Sequence, residues 1–113
     1  MTDLIHHIEH DNLVALFPQE YSHIIDSLYV VIRRAFIDQA DTLTLTMEAI
    51  TWKKDSQHVG KLPFNHPSMH EGFRDGLYKV LQVDELVRAS IKIISDTSTE
   101  IICELEPLEN GTD

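Results

Sequence analysis

Residues 42–49 read TLTLTMEA, in which leucine, methionine and alanine alternate with threonine and glutamate. A period of two is typical of a strand that buries one face and exposes the other. The preceding apolar residues recur instead at steps of three and four, the period of a helix: Tyr21, Ile24, Ile25, Leu28, Val31, Ile32, Ala35 and Phe36. The change of period after Asp41 therefore predicts an α+β fold, with a helix followed by a strand.

Two helices are predicted before this strand. The first spans about residues 2–17, where the amphipathic pattern is short and imperfect. The second begins near Pro18, a residue favoured at the first helical position, and ends before Ala40. The side of this helix opposite its apolar stripe carries Val30 and Ile37 among charged residues. This pattern indicates that another element packs on that side, or that a homo-oligomer forms through this second helix.

A long loop and a third helix are predicted after the strand. Residues 53–67 show no sustained period, and loops of about 15 residues are commonly functional or mobile. Ser68 and Glu71 have the spacing of a capping box, so the third helix should begin there. Gly72 and Gly76 lie on its apolar stripe, which predicts close packing of this helix on the sheet, with a ligand groove as the alternative.

Two further strands complete the expected sheet. Residues 86–94 and 99–105 alternate apolar and polar side chains, and the short polar segment 95–98 between them suits a hairpin turn. Arg88 and Lys92 should then face the acidic side chains of the second strand for cross-strand pairing: Glu100 and Glu104.

The predicted order is two N-terminal helices, then strand, helix, strand and strand. If the first strand runs parallel to the second, a right-handed crossover places the third helix on one face of a small three-stranded sheet. With 113 residues, the chain has the size of a single domain, which we assign to residues 1–106. Residues 107–113 are expected to be a frayed acidic tail.

The charge of the chain is concentrated at its two ends. The net charge is −10, yet residues 1–32 hold five acidic residues and residues 93–113 hold six, with no lysine or arginine in either segment. If the ends meet, they form one electronegative surface able to attract a basic protein. Such a chain should repel nucleic acid and anionic membranes. The acidic surface would include Asp3, Glu9, Asp11, Glu100, Glu104 and Glu106.

The histidines do not predict a metal centre. His6 and His10 have the helical spacing of some zinc ligands, but the sequence lacks both a Cys-x-x-Cys pair and the glutamate of a His-Glu-x-x-His motif. We expect His6, His7, His10 and His23 to face solvent and to charge as the pH falls toward 6. Neither a metal nor a cofactor is therefore predicted.

Cys103 is the only cysteine, and its alternation with Ile101 and Leu105 predicts a buried, unreactive thiol. An internal disulfide is excluded, and the N-terminal segment lacks the pattern of a signal peptide. No stretch has the 18 or so apolar residues of a membrane span. These features predict a cytoplasmic protein.

One row of side chains offers an alternative binding site. His70, Arg74 and Tyr78 follow one another at four-residue steps on the third helix, and His66 precedes them. Arg74 could bind a carboxylate or another anion in two-point contact, with Tyr78 as a hydroxyl partner. The 53–67 loop could act as a lid, although a solvated helix face would show the same spacing.

The sequence contains no catalytic constellation, phosphate loop or nucleophile elbow. Our first hypothesis is therefore a small acidic protein that binds a basic protein as an inhibitor, an immunity or antitoxin-like protein, or a regulatory module. The alternative is a small-molecule-binding or enzymatic domain using His66, His70, Arg74 and Tyr78. Nucleic-acid contact would require the central basic residues to share one face.

Overall fold

The computed structural model describes residues 22–66 and 68–106. The predicted helix at 2–17, the histidines at 6, 7 and 10, and the tail 107–113 lie outside these residues. In chain order the elements are α1 (Ser22–Ile37), β1 (Thr42–Leu45), β2 (Ala49–Lys54), β3 (Gln57–Pro63), α2 (Ser68–Val83), α3 (Glu85–Ser90), β4 (Ile91–Asp96) and β5 (Ile101–Leu105).

The fold is α+β, with a five-stranded sheet in the order β3-β2-β1-β5-β4. Every neighbouring pair of strands is antiparallel. The expected three-stranded sheet was therefore too small, and the parallel pair on which a crossover depended does not occur among these strands. The apolar sides of the strands and helices share one buried core, whose sheet side includes Leu43, Leu45, Ile50, Trp52, Ile91, Ile101, Cys103 and Leu105.

A turn at Thr46 divides the predicted first strand in two. The Thr46 N–H donates to the Ala49 carbonyl at 2.9 Å, and its hydroxyl oxygen accepts from the Glu48 and Ala49 N–H groups at 3.2 Å. β1 and β2 thus form a hairpin in which Leu45 faces Ile50. This reversal explains why the apolar residues change face after Ala49 in the sequence.

The predicted loop at 53–67 contains a strand. Asp55 and Ser56 both have positive φ, 52° and 69°, as in the two-residue turns that suit hairpins, and β3 follows them. Because β3 is an edge strand with mostly exposed side chains, it lacks the alternation that marked β1. It is held by Trp52, whose indole packs so closely on Gly60 that a Cβ there would lie 2.0 Å from the ring.

The segment predicted as a strand at 86–94 begins as a helix. Asp84 caps α3, because its Oδ1 accepts from the N–H groups of Leu86 and Val87 at 3.1 and 3.2 Å. Arg88 therefore lies on α3 rather than in the sheet, and its Nη1 donates to two carbonyls at the end of α2. Lys92 does face Glu104 across β4 and β5, as expected.

α2 begins at Ser68, as the sequence predicts, but His66 supplies its cap. The Ser68 N–H donates to the His66 Nδ1 at 3.1 Å, and the Ser68 hydroxyl lies 2.9 Å from the same nitrogen. The expected reciprocal bonds between Ser68 and Glu71 are thus replaced by an imidazole cap. Within residues 22–66 and 68–106, no helix is long and apolar enough to cross a membrane.

The glycines of α2 pack against α1 rather than against the sheet. A Cβ on Gly72 would lie 2.7 Å from the Ile24 Cδ1, and one on Gly76 would lie 2.9 Å from both the Ile24 Cγ2 and the Leu28 Cδ1. The two helices therefore approach more closely than side chains at these positions allow. The prediction of tight packing holds, but its partner was assigned incorrectly.

A buried polar bond joins α1 to the junction of α2 and α3. The Tyr29 hydroxyl donates to the Asp84 Oδ2 at 2.6 Å, and both residues are buried. Burial and this bond raise the pKa of Tyr29 far above its usual value. Asp84 therefore fixes the start of α3 through one oxygen and the position of α1 through the other.

Alanine substitutions should distinguish the two helix glycines. Gly76→Ala is expected to lower the free energy of unfolding by about 1–3 kcal/mol, because buried Leu28 and the branched Ile24 must move. Gly72→Ala meets the flexible end of Ile24, so its helix-propensity gain of up to ~1 kcal/mol should offset the contact. Urea denaturation measures both; equal losses would contradict this packing.

Tyr29→Phe removes the donor to the buried Asp84 carboxylate without changing the shape of the ring. We expect it to lower the free energy of unfolding by about 1–3 kcal/mol, since a buried acceptor loses a partner. Tyr78→Phe is the matched control at an exposed site and should cost less. Denaturant midpoints in which the control loses as much as Tyr29→Phe would argue against the role of this bond.

Candidate functional site

The predicted row on α2 converges on a carboxylate of the same chain. Arg74 and Tyr78 both reach Asp96, the last residue of β4. The Arg74 Nη1 lies 2.5 Å from the Asp96 Oδ1, while the Tyr78 hydroxyl donates to the other oxygen. The Arg74 Nη2 also donates to the Thr97 carbonyl at 2.5 Å. The row thus contacts a carboxylate of its own chain, which the β4–β5 hairpin supplies.

His70 continues this network into the core. It is 4% exposed, and its Nδ1 lies 2.8 Å from the Thr46 carbonyl in the β1–β2 turn. Since a carbonyl only accepts, Nδ1 carries the proton and Nε2 accepts from the Arg74 Nη2 at 3.3 Å. We call His70, Arg74, Tyr78 and Asp96 the α2 clamp, because they connect α2 with the turns of both hairpins.

The electrostatics of the α2 clamp favour an ionised Asp96. The hydrogen bond from Tyr78, followed by that from Arg74, lowers the pKa of the Asp96 carboxyl. The same bond raises the pKa of Tyr78, because it stabilises the protonated hydroxyl. Near neutral pH the clamp therefore holds a carboxylate, a guanidinium and a neutral phenol.

His66 is separated from the other three residues of the predicted row. Its ring caps the start of α2 through Ser68, whereas His70, Arg74 and Tyr78 point toward the hairpins. The arrangement gives the row a structural role, and its use as a small-molecule site stays a prediction. The preceding segment is mostly strand β3, which places an edge of the sheet where a lid was expected.

A groove lies beside β4, at the end of the sheet nearest α3. Its volume is about 680 Å³. Tyr78 lines it, whereas His66, His70 and Arg74 do not. Its walls combine apolar side chains with charged residues of both signs: Leu81, Ala89, Ile91, Ile93, Arg88, Lys92, Glu104 and Glu106. The groove therefore adjoins the predicted row at Tyr78.

The predicted acidic residues fall at different places. Glu104 lies on the outer face of the sheet, between Lys92 and Thr42, and Glu106 follows β5 at the groove. Glu100 belongs to the turn before β5, where its carbonyl accepts from the Thr97 N–H. The other three, Asp3, Glu9 and Asp11, lie outside the described residues. The meeting of the two chain ends therefore stays a prediction.

The buried thiol of Cys103 is placed as the sequence suggested. Burial, with a smaller contribution from the negative charge of Asp96, raises its pKa to about 12. A thiol with such a pKa is a poor nucleophile near neutral pH. Across residues 22–66 and 68–106, no three His, Cys, Asp or Glu side chains are grouped as metal ligands would be.

The central basic residues do not share a face. Arg33 and Arg34 lie on α1, which packs on the inner side of the sheet. Lys53 lies directly opposite Thr42, and Lys61 opposite Thr51, so both point to the outer side. The single basic surface that nucleic-acid contact would require is therefore divided between two sides of the domain.

Comparison of the chain with protein-family models, with curated proteins and with solved structures gave no match.

The α2 clamp should give the fold a specific acid sensitivity. Because the folded-state pKa of Asp96 is lowered, its stabilising contribution is present above the unfolded value near 3.9 and is lost as the pH falls through the folded value. Asp96→Asn should therefore be less stable than the wild type at pH 7, with a smaller difference below about pH 4.

Urea denaturation at several pH values measures this difference. Asp75→Asn, which removes an exposed carboxylate from α2, is the matched control and should leave the wild-type profile nearly unchanged. A difference between wild type and Asp96→Asn that stays constant from pH 7 to acid would exclude an ionic contribution of the clamp.

Proposed function

We propose that this chain is a cytoplasmic protein-binding module whose partner is a basic protein. It would act as an inhibitor, as an immunity or antitoxin-like protein, or as a regulatory module. The observation that carries the proposal is the distribution of charge: a net charge of −10 arises from two terminal segments that contain no lysine or arginine. Between them, the central part of the chain is close to neutral.

This distribution favours fast association with a cation-rich surface. Complementary fields raise the rate of encounter, and screening over about 8–10 Å at physiological ionic strength weakens them as salt is added. Glu104 and Glu106, at the end of β5, are described members of the acidic segment 93–113. A basic partner is therefore expected to contact the terminal segments, with Glu104 and Glu106 among the acidic residues that it meets.

The state of the reactive side chains supports binding over catalysis. In the described part of the chain, His70, Arg74 and Asp96 bond to one another and to hairpin carbonyls. Asp84 is engaged by α3 and Tyr29, and Cys103 is buried. These groups hold secondary-structure elements together, so their bonds would have to break before they could act on a substrate.

Affinity capture with the full chain as bait tests the proposal. Proteins enriched at about 50 mM salt should be basic, and most of the capture should be lost near 500 mM, because screening shortens the range of the field. Capture of acidic proteins only, or the absence of any enriched protein at low salt, would contradict a basic partner.

Matched charge variants distinguish binding at a local acidic surface from attraction by the net charge of the chain. Glu104→Gln with Glu106→Gln removes two charges at the end of β5, and Glu71→Gln with Asp75→Asn removes two from the exposed side of α2. The first pair should lower affinity for the captured protein by about tenfold, and the second by much less. Equal effects would indicate that net charge alone drives the association.

A small-molecule site is the second candidate, and the groove beside β4 is the observation in its favour. Its volume of about 680 Å³ is of the size that takes drug-sized ligands. Of the residues first proposed for such a site, Tyr78 is the one that lines the groove. Saturable thermal stabilisation by a small molecule would favour this candidate over the protein-binding one.

A further inference from the structure

β4 presents unpaired backbone groups along one edge of the sheet. The Glu106 N–H donates to the Ser90 carbonyl. Because hydrogen-bonded and non-hydrogen-bonded pairs alternate along an antiparallel ladder, Lys92 is also hydrogen-bonded to Glu104. The backbone N–H and carbonyl groups of Ile91 and Ile93 therefore point away from β5. The Ile91 N–H is taken by the Val87 carbonyl at the end of α3. The N–H and carbonyl of Ile93 therefore face away from the sheet, where another strand could bond to them.

The opposite edge is less suited to receive a strand. β3 ends at Pro63, which has no N–H to donate. Proline is a device by which native proteins prevent pairing at an edge. β4 contains no proline, and its outward backbone groups at Ile93 lie beside the groove, which Ile93 itself lines.

Two exposed apolar side chains flank this edge. The register between β4 and β5 shifts between Ile93 and Ser95, and the extra residue, Ile94, is 53% exposed. Tyr78, on the adjoining turn of α2, is 42% exposed and lines the groove. Ile94 is therefore an exposed apolar residue of the edge strand, directly after Ile93, which lines the groove.

The charge of this surface identifies what can cover it. The groove has two basic residues, Arg88 and Lys92, and two acidic residues, Glu104 and Glu106, and so has no net charge. Two copies of a chain of net charge −10 repel each other as they approach. This repulsion is weakest where each copy presents a surface without net charge, and a surface with equal numbers of both signs can complement itself.

We propose that a second copy of this chain binds at the β4 edge. The two β4 strands pair antiparallel about a two-fold axis at Ile93, so that each Ile93 N–H donates to the Ile93 carbonyl of the other copy. Ile94 of each copy then lies opposite Lys92 of the other, beside its groove. The two five-stranded sheets become one continuous sheet across the dimer.

The bulge at Ile94 and the two-fold symmetry limit the assembly to two copies. Because the regular part of β4 ends at the bulge, only a few residues on each side can pair. An interface that uses the same surface on both copies is closed, so it does not lead to a filament. The dimer and the binding of a basic partner are tested separately. The dimer is tested by mass and hydrogen exchange, and the partner is tested by affinity capture of another protein.

Sedimentation equilibrium of the full chain tests the dimer. The wild type should reach about 26 kDa, twice the 13.0 kDa of the chain, with a mass that depends on concentration. Ile94→Asp should raise the dissociation constant at least tenfold, because it places a carboxylate in the contact. Val30→Asp, at a 60% exposed position on α1, is the matched control and should leave the dimer intact.

Hydrogen exchange supplies a second measurement that needs no variant. The Ile93 amide should be protected in concentrated wild-type protein and should exchange faster on dilution, whereas the Lys92 amide, bonded to β5, should stay protected throughout. A wild-type monomer up to ~200 µM would overturn the proposal. So would dissociation by Val30→Asp but not Ile94→Asp, or an Ile93 amide whose exchange does not depend on concentration.

Discussion

The close contact between α1 and the glycine face of α2 is the constraint on which the rest of this structure depends. Two glycines in a helix interior cost about 1 kcal/mol each in helix propensity, and here they allow Ile24 and Leu28 to pack directly on the α2 backbone. That approach brings Tyr29 within bonding distance of Asp84, which caps α3. The start of β4 follows from α3, so the edge of the sheet is indirectly positioned by this helix pair.

The sequence predicted the elements that bury one face and missed those that do not. α1, the start of α2, β1 and β5 were visible because their apolar residues repeat at helical or strand spacing. β3 was missed because an edge strand covered mainly by solvent has no apolar repeat. α3 was mistaken for strand because its six residues are too few to distinguish the two periods. Strand order was also out of reach, since it depends on contacts between distant segments.

Of the candidate site, the sequence predicted only the residues that lie together on one helix. Spacing at four residues was sufficient to align His70, Arg74 and Tyr78, since a helix brings such positions onto one side. Their partner Asp96 lies 18 residues beyond Tyr78, at a place fixed by the hairpin rather than by any local pattern. The groove was equally invisible, because it exists only where the edge strand meets the ends of two helices. The pairing of Lys92 with Glu104 could be foreseen because both lie within one hairpin.

The hairpin turn at Asp55 and Ser56 has a practical consequence. It joins β2 to β3, on the far side of the sheet order from β4, and both of its residues are exposed. The chain's single thiol is buried at Cys103, so a cysteine introduced at Ser56 would be the accessible one for a maleimide dye. Such a label would report on tumbling and association from a position remote from the groove, and Cys103 would not have to be replaced first.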